Sequence, residues 1–429
     1  MRIIQSPFFS ETIAEGVQFH AFRDDRFKTN RLSVHLVVPL MKETASLNAL
    51  LPKVLRRGCK KYPNYILLSR KLDNSYGAYI EAGAQKRGDN QIITISITAI
   101  DDKFAFGEAV CLPTAELLCD LIFNPVIEKN ELNPRYLEAE KKSLCDAIDS
   151  LLNDKRSYAL MRALQILCKD DPAGIPAFGE KEEIILCSAS DLVRQYLELI
   201  RIADVHIMFT GCGDYFPVLK LFNTVFSFQK RNLVQTKSKP LKGKETIATV
   251  EEEMDLLQAK LVLGYTGNIT GSSAHLPAMR IAVSILGGTP MSKLFMNVRE
   301  KESLCYYCSA RYDIYKGTML IDCGVEPENI EKAIESISNQ VSLLQEGAFT
   351  DQEIEYAVLS LKNAYQSIYE SDVSVESFFL NQILSGNDSG PEEQKALLST
   401  TTREDILQAA QNLSQQLVYL LNGKRGETH

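Results

Sequence analysis

Apolar and polar positions change period along this chain in an order that occurs twice. Residues 33–40 (SVHLVVPL) and 259–265 (AKLVLGY) are short extended apolar runs, read as strands. Each is followed by a segment of helical period and then a glycine turn, 45–57 before Gly58 and 276–286 before Gly287. Strand pairs come next, 78–84 with 91–99 and 306–313 with 318–324. Each half then predicts two helices with a polar joint. Residues 104–123 meet 131–152 across Asn124-Pro125, and 330–345 meet 351–369 across Glu346-Gly347. Thr350 with Glu353 forms a capping-box pattern at the last of these. The polar, basic stretch 229–245 (QKRNLVQTKSKPLKGKE) reads as a linker, predicting two related domains, 1–228 and 245–429.

The most informative stretch is 286–309, LGGTPMSKLFMNVREKESLCYYCS. Met291, Leu294, Phe295 and Val298 fall at i, i+3, i+4 and i+7, one face of a helix. Thr289 is placed to cap that helix, with Pro290 at its first position. Arg299 lies just beyond the apolar stripe, and Tyr306 follows seven residues later at the start of a strand. Cys305 and Cys308 form a C-x-x-C. Residues three apart on a regular strand point to opposite faces, so the pair reads as buried thiols rather than a redox or metal centre.

Other motifs exclude more than they assign. Phe209-Thr-Gly-Cys-Gly-Asp214 joins a strand to a helix, but its spacing matches neither dinucleotide nor P-loop glycine patterns. No G-x-S-x-G nucleophile elbow occurs. The five histidines, His20, His35, His206, His275 and His429, are scattered, and His35 and His206 sit in apolar runs as strand residues. Glu251–Glu253 reads as a solvated strand edge.

Composition is that of an ordinary globular protein, with 429 residues, 45% hydrophobic and 24% charged. That length supports two or more cores. A net charge of −8 argues against nucleic acid or an anionic membrane as principal partner. No secretory signal and no membrane-length apolar run is visible. The ten cysteines lie mostly in apolar runs without scaffold spacing, which points to reduced thiols in the cytoplasm.

The 286–306 block resembles the C-terminal half of pitrilysin/insulinase-type zinc peptidases, the inverzincins. Leu286-Gly287-Gly288, Met291-Ser292, Leu294-Phe295, Arg299-Glu300-Lys301, Leu304 and Tyr306 keep the family's register with one added residue near Pro290. The resemblance implies an α+β fold of two tandem homologous domains, each a mostly antiparallel sheet packed against helices, forming half of a clam-shell molecule. It also implies that Arg299 and Tyr306 bind the substrate peptide. Guanidinium and phenol suit that task, since both can donate to peptide carbonyls.

The family's H-x-x-E-H helix aligns with Ala49-Leu50-Leu51-Pro52-Lys53. Ala49 and Lys53 stand at the two histidine ligands, Pro52 at the general base, and Ala147 (in SLCDAI) at the third ligand. An ammonium at a ligand position would repel a divalent ion by several kcal/mol at an effective dielectric of ~20. Pro52 also removes a helix hydrogen bond, so a kink is expected there. Lys53 as a catalytic base has no nucleophile or oxyanion donor beside it, and a solvated or salt-bridged lysine is the plainer reading.

The expectation is therefore a catalytically inactive subunit with no cofactor of its own. Its partner would be an H-x-x-E-H homologue carrying the zinc, to which this chain adds peptide-binding residues and half of a chamber. A homodimer is a further possibility. The alternatives are a non-proteolytic scaffold or binding subunit of a maturation or modification complex, and an enzyme centred on Cys305 and Cys308.

Overall fold

The computed structural model describes residues 8–227 and 231–423. Contacts divide the chain into two units. One comprises Met1–Ile148, Ile175–Lys237 and Ser371–Ser377; the other comprises Asp149–Gly174, Ser238–Glu370 and Phe378–His429.

The first unit is built on a six-stranded sheet. Its strands are β1 (Phe8–Ala14), β2 (Val17–Arg23), β3 (Thr29–Pro39), β4 (Tyr79–Arg87), β5 (Asn90–Ile100) and β6 (Asp204–Gly211), in the order β1-β2-β6-β3-β5-β4. Only β2 and β6 pair in parallel. Period-2 alternation assigns the two faces. Phe19, Leu32, Val34, Leu36, Ile93, Ile95, Ile97, Val205, Ile207 and Phe209 enter a core shared with helices Lys42–Leu55, Cys111–Phe123, Ala189–Ile202 and Phe216–Phe226. The intervening positions are polar yet buried, among them His20, Arg31, Ser33, His35, Ser96, Thr98 and His206.

The second unit has five strands, β7 (Ala248–Met254), β8 (Ala259–Thr266), β9 (Cys305–Asp313), β10 (Thr318–Val325) and β11 (Ser414–Gly423), ordered β7-β11-β8-β10-β9. Again one pair, β7 with β11, is parallel. The order repeats β2-β6-β3-β5-β4 strand for strand, so the two halves are topological copies, the first extended by the β1 hairpin. One face of this sheet packs Leu261, Leu263, Met319, Ile321 and Cys323 against helices including Leu276–Val283 and Ile330–Gln345. On the other, Val262, Leu417, Tyr419 and Leu421 meet Ala159, Ala163 and Leu167 of helix Lys155–Leu167.

Three sequence expectations change. Helix Lys42–Leu55 runs through Pro52 and continues to a cap at Arg56, whose N–H reaches the Pro52 carbonyl. Burial of Ala49, Leu50, Leu51, Pro52, Val54 and Leu55 holds it where an isolated helix would kink. The expected helix 104–123 begins only at Cys111. Phe106 and Gly107 have positive φ, and the Asp102 carboxylate accepts from the N–H groups of Val110 and Cys111, both at 2.8 Å. In the stretch expected to link the domains, Gln229 and Lys230 lie outside the described residues. Beyond them the chain is pinned, with Asn232 N–H donating to the Arg201 carbonyl and the Arg231 guanidinium to the Gly16 and Ala203 carbonyls.

Candidate peptide-binding edge and degenerate metal site

The helix expected to carry the metal site carries no ligand. Ala49 is fully buried, Pro52 is buried and Lys53 is half-buried. Asn48 ties the helix down instead. Its amide donates to Gln91 Oε1 at 2.9 Å and accepts from Gln195 Nε2 at 2.8 Å. Ala147, on helix Pro134–Asn153, is exposed. One turn-pair earlier on that helix lies Glu140, fully buried, with Oε1 2.5 Å from Arg57 Nη2 and 3.9 Å from Arg56. Pairing with guanidinium is what a buried carboxylate requires.

The residues present therefore do not fit a divalent zinc ion at these positions. They offer a methyl group, a pyrrolidine ring, an ammonium and a carboxylate already held by arginine. Among the described residues the one group whose donor atoms converge as metal ligands lies elsewhere, at Cys305, Cys308 and Cys323. Sequence reasoning missed the Arg57–Glu140 pair because its members are 83 residues apart and carry no local pattern.

The Arg299 and Tyr306 block is assembled by close packing. A Cβ at Gly287 would stand 2.6 Å from the Ala310 backbone nitrogen and 2.8 Å from Leu294, so glycine lets this turn lie directly on β9. The segment after it is a wide helix, Leu294–Lys301, rather than a regular α-helix. Leu294 and Val298 are fully buried and Phe295 half-buried, as the stripe predicts, but Met291 is exposed. The reason is local. Thr289 Oγ1 accepts from Met291 N–H at 3.2 Å, making a separate turn before the wide helix begins. Lys293 is buried and paired with Glu353 at 3.1 Å, which anchors the helix to Asp351–Ser367.

Arg299 lies in the last turn of that helix. Its guanidinium stacks over Phe295 at 4.4 Å, with Nε 3.5 Å from Glu300 and 39% of the side chain exposed. Leu304 N–H then bonds the Val298 carbonyl at 3.1 Å, and β9 begins. β9 is the edge strand of its sheet.

Its register with β10 contains a bulge. Cys308 faces Cys323 and Tyr307 faces Gly324, yet Cys305 faces Val325, so Tyr306 is the extra residue. The bulge turns Tyr306 outward, 65% exposed. It also shifts the parity of the strand, which corrects the expectation for the C-x-x-C: Cys305 and Cys308 come to one face, together with Cys323.

The buried polar face of the first sheet gathers histidines that are distant in sequence. His20 Nε2 lies 3.1 Å from His206 Nδ1, and His35 is the direct cross-strand neighbour of His206. His35 Nε2 is 3.3 Å from Glu376, which also accepts from Arg31 at 3.0 Å. Burial first, then the charges of His206 and His35, pull the His20 imidazole down to about 3 despite nearby Asp204. The Glu376 carboxyl is held low: burial opposes its ionisation, but His35, Arg31 and Ser33 outweigh it. The histidines are thus structural strand residues, as expected, knitted by hydrogen bonds.

Comparison with known proteins agrees with this geometry. A family model described as "Peptidase M16 inactive domain" matches residues 188–361. The probable inactive metalloprotease YmfF of Bacillus subtilis is 29% identical over 412 residues, 96% of this chain and 97% of its own. An uncharacterized zinc protease of the same bacterium, YmxG, is 26% identical over 264 residues, 60% of this chain and 61% of its own. The crystal structure of a conserved protein from Enterococcus faecalis V583 superposes with a TM-score of 0.90 at 27% identity, covering 98% of this chain and all of that one. With Ala49, Pro52 and Lys53 at its H-x-x-E-H positions, the chain is similar to peptidase M16 (pitrilysin/insulinase-type) proteins, and over nearly its whole length to a relative named as a probable inactive metalloprotease.

Proposed function

We propose that this chain is the non-catalytic subunit of an M16-type peptidase, binding extended peptide along β9 while an H-x-x-E-H homologue supplies the zinc and general base. The observation that carries this reading is the pairing of an edge strand with an outward Tyr306 and a stacked, half-exposed Arg299 at its start. An edge strand presents unpaired N–H and C=O groups to which a peptide adds as a further strand. Stacking on Phe295 pre-orients the guanidinium, so less side-chain freedom is lost when it donates to a peptide carbonyl. In Bacillus subtilis a whole-length relative named as inactive coexists with a homologue named as a zinc protease, which supplies a candidate pair of this kind.

Among the described residues no helix is long and apolar enough to cross a membrane, and none of the ten cysteines is joined in a disulfide. Free thiols suit the reducing cytosol, where we place the protein. The test is reconstitution with the zinc-bearing homologue from the same cell. Peptide cleavage should require both chains and should fall when Arg299 is replaced by alanine while the complex still elutes as one species. If Arg299→Ala impairs assembly and leaves turnover per complex intact, the chain is a scaffold.

A further inference from the structure

The sulfurs of Cys305, Cys308 and Cys323 all lie within 4.8 Å of one another. Trigonal or tetrahedral thiolate sites bring sulfurs to about 4 Å apart, given metal–sulfur bonds of ~2.3 Å. Closing the observed triangle therefore takes only small side-chain movements. The arrangement is built into the sheet. Cys308 and Cys323 form a direct cross-strand pair, and the bulge at Tyr306 rotates Cys305 onto the same face. Cys308 and Cys323 are buried, whereas Cys305 is half-buried and marks the side from which an ion would enter.

We propose that these three cysteines form a binding site for a thiophilic d10 cation, Zn(II) or Cu(I), held by three thiolates. Among the described residues no histidine, carboxylate or fourth cysteine joins the group, so Zn(II) would keep one position open to water while Cu(I) would be trigonal. Hard cations that prefer oxygen are excluded by the donor set. Arg299 is the nearby cation that favours thiolate character at Cys305. That thiol is drawn well below its ordinary value, first by the Cys308 and Cys323 thiols and then by Arg299, while Cys308 and Cys323 are raised. Occupancy would clamp the start of β9 to β10 and fix the bulge that presents Tyr306. The site does not depend on the peptide-binding role proposed above.

The full chain, kept reduced, would be titrated with Zn(II) alone and, without oxygen, with Cu(I) alone against a competing chelator. Expected is one equivalent of at least one of these ions per chain, with an affinity that rises with pH because the ligands bind as thiolates. Whichever ion binds tighter distinguishes the open from the trigonal form. Cys305→Ser should abolish the equivalent while circular dichroism stays unchanged, and Cys111→Ser, at a half-buried thiol of the other unit, should retain it. Cys308→Ser and Cys323→Ser would be read only if they fold. The proposal is overturned if neither ion is retained, if Cys305→Ser retains it in full, or if freshly isolated chain holds a Cys308–Cys323 disulfide and takes up no ion after reduction.

Discussion

The proposed peptide contact rests on two side chains. Arg299 and Tyr306 were legible in sequence because the block that presents them is contiguous, and burial of Leu294 and Val298 leaves both side chains accessible. A charge-assisted hydrogen bond to a peptide carbonyl contributes about 1.5–3 kcal/mol. Arg299→Ala should therefore lower kcat/KM of the reconstituted pair by about 10- to 100-fold, with Arg299→Lys recovering only part of it. Equal rates for wild type and Arg299→Ala would remove the residue from binding.

His20 makes a separate prediction. Its folded value near 3 lies below the ordinary 6.5, so the unfolded chain takes up a proton that the folded chain refuses. Its contribution is fully present above pH 6.5 and is lost as pH falls toward 3, by at most about 1.4 kcal/mol per pH unit. Urea unfolding followed from pH 7.5 to 5 should show this slope, and His20→Asn should flatten it by one proton's share. An unchanged slope would mean that this histidine is not the group being titrated. The gathering of His20, His206 and His35 could not be seen in sequence, since it depends on register across three strands.

At the scale of elements, period and capping chemistry were read well where they acted locally. Strands β3, β5, β8 and β10 and the Thr350–Glu353 capping box match the pattern. What failed were features set by tertiary packing or by a single backbone turn. The core carries Pro52 through a helix, Gly107 delays a helix start, and one extra residue at Tyr306 reverses the sidedness of a C-x-x-C. The Gly287 turn is the clearest mechanical element. Gly287→Ala would drive a methyl into the Ala310 backbone and should cost about 1–3 kcal/mol, as overpacking does. Because that shift moves the helix that carries Arg299 in its last turn, peptide affinity should fall together with the denaturation midpoint. Gly77→Ala, where nothing lies within 4 Å but φ is positive, should cost stability alone.

At the scale of the whole molecule, repetition was visible as a repeated order of elements, and the two sheets share one topology. The division into units could not be read in sequence in the same way, because 149–174 and 371–377 each join the unit built mainly from the other half. Absence of the H-x-x-E-H motif was legible because it is a matter of residue identity at fixed spacing, and a methyl group and an ammonium offer zinc no donor. The most direct measurement is hydrolysis of an unstructured peptide by this chain alone, by an H-x-x-E-H homologue from the same cell alone, and by the two together. Cleavage confined to the mixture, and abolished by a Glu→Gln change in the homologue's H-x-x-E-H, is the expected result. Chelator-sensitive cleavage by this chain alone would contradict its assignment as an inactive subunit.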